Sequence, residues 1–521
     1  MVCRPVFAQR SRSNKARLVV LLAVAALLSV ACSAKSAQDS AASTRTLTIG
    51  LPAAPPSLDP AKTTGNGQPF MNLAYDPLIY RAPDGQLKPR LAESWGYVGT
   101  GNTVFELHLR SGVHFTDGSA LTADVVKANF DYLRKVGVGT AGKVARDATV
   151  QVIDPLTVRL TLTTANPDLP TIFSQDTMPG VISGDALANP DQLASQTRGS
   201  GPYVLDTATT VANDHYTYTP NPQFWDKPSI HYDKVIIKVI PNPNTALAAA
   251  KTGQVDVIAG SYTTVNAAKS AGLTIAYTPF TFMGLVLADR SGTVVPALRD
   301  VRVRQALNYA VDRQKITRGL FGDYGTPTEQ IQLPGRSGYS DRAVYSYDPD
   351  KARHLLAEAG YANGFTLPAL TTSTANSNLV VQAIADDLKQ IGVTLDVTND
   401  ADTAKYQQDM RSKKWGAFGI AFGSLTTHLM AQVLLLPGGF YNPFDSNDPE
   451  LTALYQRAAA AAPEQRAQLD QQVISHVVEQ GWFLTVTFSP SFYYARSSVG
   501  NLTVSPGEPV ANPIEWHPAQ P

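Results

Sequence analysis

The stretch VHFTDGSALTADVVKANF, residues 113–130, joins the end of a predicted strand to the start of a predicted helix. It holds two Asp, two Thr, a Ser and a His, a mixture that can serve either catalysis or local structure. Asp117 and Gly118 are a typical turn pair, because both residues tolerate the backbone angles of tight turns. Thr122 can accept a hydrogen bond from the first turn of a helix that runs to about Lys135. These polar residues therefore have structural roles available to them.

Outside this stretch, strand patterns and helix patterns alternate along the chain. TLTIGLP, from residue 46, has the alternating polarity of a strand. Residues 377–397 read as a helix, a glycine and a strand, and Asp348 with Pro349 is a typical helix start. The 521 residues are 44% apolar and 17% charged, which predicts a globular α/β protein of two or three domains.

The amino-terminal residues have the pattern of an export signal. Basic residues precede Leu18–Ala31, a run of small and apolar residues that is too short to span a bilayer. The run ends in SVAC, which resembles a bacterial lipobox with Ser29 in the usual place of Leu and implies acylation of Cys32. We expect a signal peptide at residues 1–31 and a lipidated, flexible tether at residues 32–44. The alternative is an ordinary cleaved signal that ends near a cysteine.

Charge and motif content argue against several classes of protein. Acidic and basic residues number 43 each, so no basic excess favours binding to nucleic acid. None of the eight His residues pairs with another at the i, i+4 spacing of metal ligands on a helix. The sequence has no metalloprotease, nucleophile-elbow or Walker motif. We expect no enzyme, no metal site and no cofactor; an exported hydrolase is the alternative from a different class.

Many short stretches resemble one family, in the order in which that family has them. The family is the extracellular solute-binding proteins of the dipeptide, oligopeptide and nickel class (family 5), which feed ABC importers. The matching stretches are PPSLDP (55–60), LAESW (91–95), FELHLRSGVHFTDGSALTADVV (105–126), GSGPY (199–203), NPQFW (221–225), TGQVDV (252–257), VRQALNYAVDR (303–313) and YDPDKARHLLAEAGY (347–361). The resemblance makes residues 113–130 a scaffold element rather than a catalytic cluster.

The resemblance implies an α/β fold of the periplasmic-binding-protein type II, a two-lobed clamshell with an extra subdomain on its first lobe. Residues 45–280 would form lobe one, with the subdomain inserted at about 80–190. Residues 281–487 would form lobe two, and residues 488–521 would return to lobe one. A solute would be enclosed between the lobes, and the closed form would dock on the permease.

The same resemblance implies the partners and the location of the protein. The partners are a peptide or other small solute, the ABC permease with its ATPase complex, and the membrane through a lipid anchor. We expect no nucleic-acid partner and a monomer, exported and anchored on the outer face of the bacterial cytoplasmic membrane or in the periplasmic space. A sensory or structural lipoprotein without transport is a further alternative.

The ligand class is less clearly indicated than the family. Peptide-binding members carry an Asp in the second lobe that pairs with the peptide amino group. The matching stretch, residues 415–430, has no acidic residue, and none occurs from Met410 to Phe444. The stretches that match the chelator-binding Arg positions of nickel-chelate relatives, residues 136–142 and 170–184, contain no Arg. Peptides remain the main expectation, and the alternative is a non-peptide solute such as an oligosaccharide, a metal chelate or another natural product.

Because neither the Asp that pairs with a peptide amino group nor the chelator-binding Arg residues are found, we expect a mostly apolar and aromatic cleft. Hydrogen-bonding groups would set the orientation of the solute in it. Core packing is the alternative role of each aromatic residue, and a hydrogen-bonding surface role is the alternative for the histidine. The candidate ligand-binding residues are Thr64, Asn66 and Gln68 from the first lobe, Tyr262 and Phe282 near the hinge, and Trp415, Phe422, Thr426 and His428 from the second lobe.

Overall fold

The structure is a computed structural model that describes residues 45–63, 65–178, 180–423, 425–504, 510 and 512–519. The expected signal peptide at residues 1–31, the expected acylation site Cys32 and the expected tether at residues 32–44 lie outside the described residues. Within the described ranges, no helix has the length and apolar character needed to cross a membrane.

Strands and helices alternate as the sequence predicts. The strands are β1 (Thr46–Leu51), β2 (Ile79–Arg81), β3 (Leu87–Pro89), β4 (Ala92–Tyr97), β5 (Val104–Leu109), β6 (Ala148–Asp154), β7 (Thr157–Leu162), β8 (Tyr203–Leu205), β9 (His215–Pro220), β10 (Lys234–Val239), β11 (Val257–Ala259), β12 (Thr274–Leu287), β13 (Thr326–Pro327), β14 (Phe365–Thr372), β15 (Val393–Asp400), β16 (Ala417–Gly423), β17 (Phe483–Ala495), β18 (Val499–Gly500) and β19 (His517–Pro518). The α-helices are Gln68–Ala74, Ala123–Val136, Gly139–Asp147, Leu169–Ile172, Gly184–Ala188, Pro243–Lys251, Val265–Ser270, Val301–Tyr309, Arg313–Phe321, Pro349–Glu358, Ser377–Lys389, Thr403–Met410, Thr427–Met430, Pro449–Ala460 and Pro463–Glu479.

One large mixed sheet runs through both lobes, in the order β15-β14-β16-β12-β17-β11-β1-β10-β9-β8. We call the half of this sheet that contains β1 and β8–β11 the first lobe, and the half that contains β14–β16 with the helices that pack on them the second lobe. β14 and β15 are parallel and are connected by the helix Ser377–Lys389, since parallel neighbours need a crossover connection. The long antiparallel strands β12 and β17 belong to both halves, because β12 pairs with β16 and β17 pairs with β11.

The β12–β17 pair contains an irregular rung where the two lobes meet. Pro279 and Pro490 are register partners, and the register shifts between Pro279 and Thr281. Phe280 is therefore an extra residue on β12 at this place. The expected lobe boundaries at residues 280 and 488 fall within these two strands and stay predictions.

The extra subdomain is a four-stranded antiparallel sheet, β4-β5-β7-β6, covered by the helix Ala123–Val136. The Thr122 side chain accepts from Val125 N at 3.3 Å, so the predicted cap of this helix is confirmed. Val126 and Phe130 point from the helix into the subdomain core and are fully buried. Replacement of Phe130 by Ala would cost about 3–5 kcal/mol of folding free energy by leaving a cavity.

Candidate functional site

A cavity of about 330 Å³ lies between the lobes, beside the irregular rung of β12 and β17. Both lobes, β12 and the carboxy-terminal segment contribute to its wall. The lining residues are Gly65, Gln68, Arg81, Thr171, Asp176 and Thr177 from the first lobe, Phe280 from β12, Arg336, Phe422, Gly423, Leu425, Thr426 and Leu429 from the second lobe, and Val510. A space enclosed by two lobes in this way is suited to a small solute.

The charged side chains among these lining residues are two arginines and one aspartate. Arg81 Nη1 lies 3.3 Å from Asp176 Oδ2, and both residues belong to the first lobe. Burial raises the pKa of Asp176, although Arg81 and Arg336 oppose the shift. Burial also lowers the pKa of Arg336 to about 10, which leaves that group cationic at neutral pH.

A second cavity of about 320 Å³ adjoins the first and shares Arg81, Thr171, Arg336 and Thr426 with it. Its wall also contains a group of contacts that join the two lobes directly. Arg466 of the second lobe binds Asp168 of the first lobe with Nη2. We call this group, Asp168 with Arg466 and Thr426, the interlobe bridge.

The interlobe bridge pairs its buried charges within the protein, although Arg466 Nε has no hydrogen-bond acceptor among the described residues. The Asp168 side chain is 1% exposed, and it accepts hydrogen bonds from Arg466 and from Thr426 Oγ1. Arg466 Nη1 also donates to Pro167 O at 2.9 Å, and Arg466 Nε lies 3.4 Å from Asp470 Oδ2. The lobes are therefore in contact across the cleft in this structure.

Three of the nine candidate residues line the cavity that they were expected to form: Gln68, Phe422 and Thr426. Gln68 Nε2 donates to the carbonyl oxygen of Asp176, which fixes its amide at the first-lobe wall. The Phe422 ring packs edge-on against Tyr441, with ring centroids 5.4 Å apart. The structure thus brings residues from both expected walls together, and their contact with a solute stays a prediction.

Three other candidates lie in the core of the second lobe. Phe282 is 1% exposed and packs against Phe422, and Trp415 packs on the same core. His428 is 3% exposed and stacks on Tyr455 at a ring angle of 15°. None of these three is among the residues that line the inter-lobe cavities described above.

The remaining candidates are Tyr262, Thr64 and Asn66. Tyr262 connects the two lobes near β12, since Asn376 Nδ2 donates to its hydroxyl at 3.0 Å. Thr64 lies outside the described residues, and so does the side chain of Asn66, whose backbone belongs to the 3-10 turn Gly65–Gly67.

Sequence reasoning missed the charged residues of the cavity. Arg81 ends the short strand β2, and Arg336 follows Pro334 and Gly335 in a loop of the second lobe. Asp176 lies in the stretch 170–184, where the family resemblance points to Arg positions rather than to acidic ones. Asp176 could have been named as an acidic candidate from the sequence. No sequence pattern, however, places it near Arg336, which lies 160 positions further along the chain.

Within the described part of the chain, no group of three or more His, Cys, Asp or Glu side chains could hold a metal ion. Asp168 and Asp470 are the buried carboxylates near the second cavity, and Arg466 lies against both of them. The arrangement can bind and enclose a solute by hydrogen bonds, apolar contact and charge.

Known proteins resemble the chain in sequence over most of its length. Heme-binding protein A of Haemophilus influenzae is 27% identical over 487 residues, which cover 83% of this chain and 84% of that protein. Glutathione-binding protein GsiB of Salmonella typhimurium is 28% identical over 335 residues, which cover 62% of this chain and 63% of that protein.

Structural comparison and the family model agree with this resemblance. The structure of HbpA2 from Haemophilus parasuis matches with a TM-score of 0.80 at 23% identity, covering 91% of this chain and 100% of that one. The predicted α/β, two-lobed fold of the type II periplasmic binding proteins is thereby confirmed. The model of bacterial extracellular solute-binding proteins, family 5 (middle region), matches residues 86–438. The chain belongs to the bacterial extracellular solute-binding proteins of family 5.

Proposed function

We propose that the protein captures a peptide-class solute outside the membrane and delivers it to the permease of an ABC importer. The observation that carries this proposal is the cavity of about 330 Å³ whose wall comes from both lobes. A solute in such a cavity touches both lobes at once, so its binding favours the closed form over the open one. Closure then presents the loaded protein to the permease in a form that the empty open protein lacks.

Peptides are supported by chemistry and by one relative. The relative from Salmonella is named for binding glutathione, which is itself a small peptide. The cavity volume is at the lower end of the range that small-molecule sites occupy, which suits a solute of a few residues. Gln68 and Thr426 place polar side chains on opposite walls, where a peptide in the cavity would contact both lobes.

A non-peptide solute is the second candidate, and one observation favours it. The acidic residue that lines the cavity, Asp176, already pairs with Arg81 and lies in the first lobe, so it is poorly suited to pair with a peptide amino group. The relative from Haemophilus influenzae is named for binding heme, which is not a peptide. Heme and glutathione share one feature, since each carries two carboxylate groups.

Export and anchoring belong to the same proposal. Cleavage of residues 1–31 would expose Cys32 for acylation, and residues 32–44 would tether the folded body to the outer face of the membrane. Incorporation of labelled palmitate that is lost in Cys32→Ser would support the anchor. Incorporation that is equal in both proteins would show that the cysteine is not acylated.

Thermal unfolding tests the solute-binding function. The exported protein is stripped of co-purified solute by unfolding and refolding, and is then heated with di- to pentapeptides whose amino termini are free or acetylated. A bound peptide at 100 times its Kd should stabilise the protein by about 2.7 kcal/mol. An absence of any shift with every peptide would reject the peptide proposal and favour the non-peptide candidate.

Replacement of two aromatic residues by alanine, one inside the cavity and one outside it, tests whether the solute binds in the cavity. Phe280 lines the cavity, whereas Tyr277 on the same strand is 46% exposed and does not. Phe280→Ala should weaken peptide binding, and Tyr277→Ala should leave it unchanged. An equal effect of both variants would place the binding elsewhere.

A further inference from the structure

Arg81 is held in a fixed position at the edge of the inter-lobe cavity. Its backbone N–H donates to Gln175 Oε1 at 2.9 Å, and Gln175 Nε2 donates back to the Arg81 carbonyl oxygen at 2.6 Å. The residue as a whole is 9% exposed. The two reciprocal bonds fix the point from which the side chain extends, so a solute meets a group that is already ordered.

The guanidinium of Arg81 has one donor that the protein does not use. Nη1 faces Asp176 Oδ2 at 3.3 Å, but Nε is buried and has no acceptor among the described residues. Arg466 Nε in the interlobe bridge is unpaired in the same way, so this atom alone does not mark a solute site. Arg81 pairs with one carboxylate, that of Asp176, and its side chain is 11% exposed, which leaves donors of its guanidinium for a second acceptor. Arg81 lines both inter-lobe cavities.

Arg336 brings a second guanidinium to the same cavities from the opposite lobe. Burial lowers its pKa to about 10, Arg81 acts in the same direction, and Asp176 opposes the shift. Both guanidinium groups line the same two cavities, so their like charges oppose each other there. An anion placed between them would be attracted by both lobes at once, which favours the closed form.

Arginine is suited to a planar oxyanion, because its donors form a fixed fork that matches a carboxylate. Resting on the solute-binding function proposed above, we propose that Arg81 and Arg336 together bind a carboxylate of the solute, so that the cleft selects acidic solutes. The Asp176 carboxylate holds the Arg81 guanidinium in position at the cavity wall. The cleft then recognises the acidic end of a peptide rather than its amino end, consistent with the lack of acidic residues from Met410 to Phe444.

Small carboxylates test the site without knowledge of the natural solute. Thermal unfolding of the exported protein is measured at constant ionic strength with succinate, with dimethyl succinate and with inorganic phosphate. Succinate should raise the Tm and dimethyl succinate should not. Equal effects of acid and ester would overturn the proposal, and stabilisation by phosphate alone would overturn the assignment to a carboxylate.

Charge-removing variants assign the effect to the two arginines. Arg81→Gln and Arg336→Gln should each weaken succinate binding about tenfold or more, as the loss of a charge-assisted hydrogen bond does. Arg342→Gln is the matched control, because this arginine has a side chain 70% exposed and pairs with Glu479. Succinate binding that survives in both cavity variants would overturn the proposal, and circular dichroism of each variant checks that it is folded.

Peptides that differ only at the carboxyl terminus separate this inference from the function on which it rests. Dipeptides and tripeptides with a free carboxylate should bind the wild-type protein about tenfold more tightly than their amides. If acids and amides bind equally well, the carboxylate site is wrong and the peptide-binding function stands. If no peptide binds but succinate does, the carboxylate site stands and the peptide-binding function is wrong.

Discussion

Two arginine–aspartate pairs lie at the lobe interface, and they differ in how completely the protein satisfies them. Arg466 and Asp168 come from opposite lobes, and the Arg466 guanidinium also faces the Asp470 carboxylate and donates to Pro167 O. Arg81 and Asp176 come from the same lobe, and Asp176 is the one carboxylate that pairs with the Arg81 guanidinium among the described residues. In both arginines Nε is buried without a hydrogen-bond acceptor among these residues. The first pair holds the lobes together, whereas the second leaves binding capacity for a molecule from outside.

The difference shows how to distinguish structural from functional charge in a cleft. Both pairs are buried and both contain the same two residue types, so residue type and burial do not separate them. The number of partners does separate them, because the Arg466 guanidinium faces two carboxylates and a carbonyl oxygen, whereas the Arg81 guanidinium faces one carboxylate among the described residues. The following predictions test that contrast, beginning with the largest expected effect.

Asp168→Asn should have the largest effect, since it removes one of the two carboxylates that face the buried Arg466 guanidinium and the one that joins it to the opposite lobe. Removal of one partner from a buried ion pair costs about 3–5 kcal/mol. The free energy of unfolding is measured by urea denaturation, and the radius of gyration by X-ray scattering shows whether the lobes open instead. Asp350→Asn is the control, because that carboxylate is 92% exposed and pairs at the surface. Losses of equal size in the two variants would contradict the structural role of the interlobe bridge.

Acid should weaken the folded state through His428, which lies beside the interlobe bridge. Burial lowers its pKa from 6.5 to about 4, with Arg466 and Lys143 acting in the same direction and Asp168 opposing. Because the folded pKa lies below the unfolded value, this contribution is fully present above about pH 6.5 and is lost as the pH falls towards 4. The loss is roughly 3 kcal/mol over that range.

Urea denaturation of the wild type and of His428→Gln at pH 7 and pH 4.5 measures this contribution. The difference between the two pH values should be smaller in the variant by about 2–3 kcal/mol. His354→Gln should behave as the wild type does, since the His354 side chain is 72% exposed. Equal pH dependence in all three proteins would show that His428 is not held neutral by burial.

Asn102→Gly should have an intermediate effect on the contact between the lobes. Asn102 Nδ2 donates to Ala459 O at 2.9 Å and to Ala461 O at 3.0 Å, so the change removes two hydrogen bonds between the lobes. Glycine keeps the positive φ of 53° at this position without strain. We expect a loss of about 1–2 kcal/mol in urea denaturation.

Asn213→Gly is the matched control for this variant. Asn213 also has a positive φ, of 65°, and it is exposed in a turn. Its replacement should change stability by less than about 0.5 kcal/mol, as surface substitutions do. Equal losses in the two variants would mean that the side-chain bonds of Asn102 contribute nothing to the contact.

Arg81→Gln should have the smallest effect on the stability of the empty protein. The Asp176 side chain is 26% exposed, against 1% for Asp168, so the carboxylate that Arg81→Gln leaves behind keeps contact with solvent. We expect a loss of about 1 kcal/mol in urea denaturation. A loss as large as that of Asp168→Asn would show that the two pairs contribute equally to the free energy of unfolding.

The fold was predictable because its signals are local. Asp348 accepts from Lys351 N at 2.9 Å to begin the helix Pro349–Glu358, as its position before a proline predicts. The Thr122 cap lies three residues before its donor, Val125. Such signals need only neighbouring residues, and their order along the chain was enough to indicate the family.

The cavity was predicted only in part, because its wall depends on strand register and on distant contacts. Phe280 and Phe282 would share one face of a regular strand, yet Phe280 lines the cavity and Phe282 is buried in the core. The register shift between Pro279 and Thr281 accounts for this, and no periodicity argument reveals it. Arg81 and Arg336 are 255 positions apart in sequence, so only the tertiary fold brings them to one cavity.

The facing prolines of β12 and β17 have a mechanical consequence. Neither Pro279 nor Pro490 has an amide proton, so this rung of the sheet holds no N–H donor on either strand. Torsion of the two strands at this rung breaks no backbone hydrogen bond, whereas torsion at a neighbouring rung would. Movement of the lobes therefore strains the sheet little. The contacts inside the cleft then determine how long a solute stays bound.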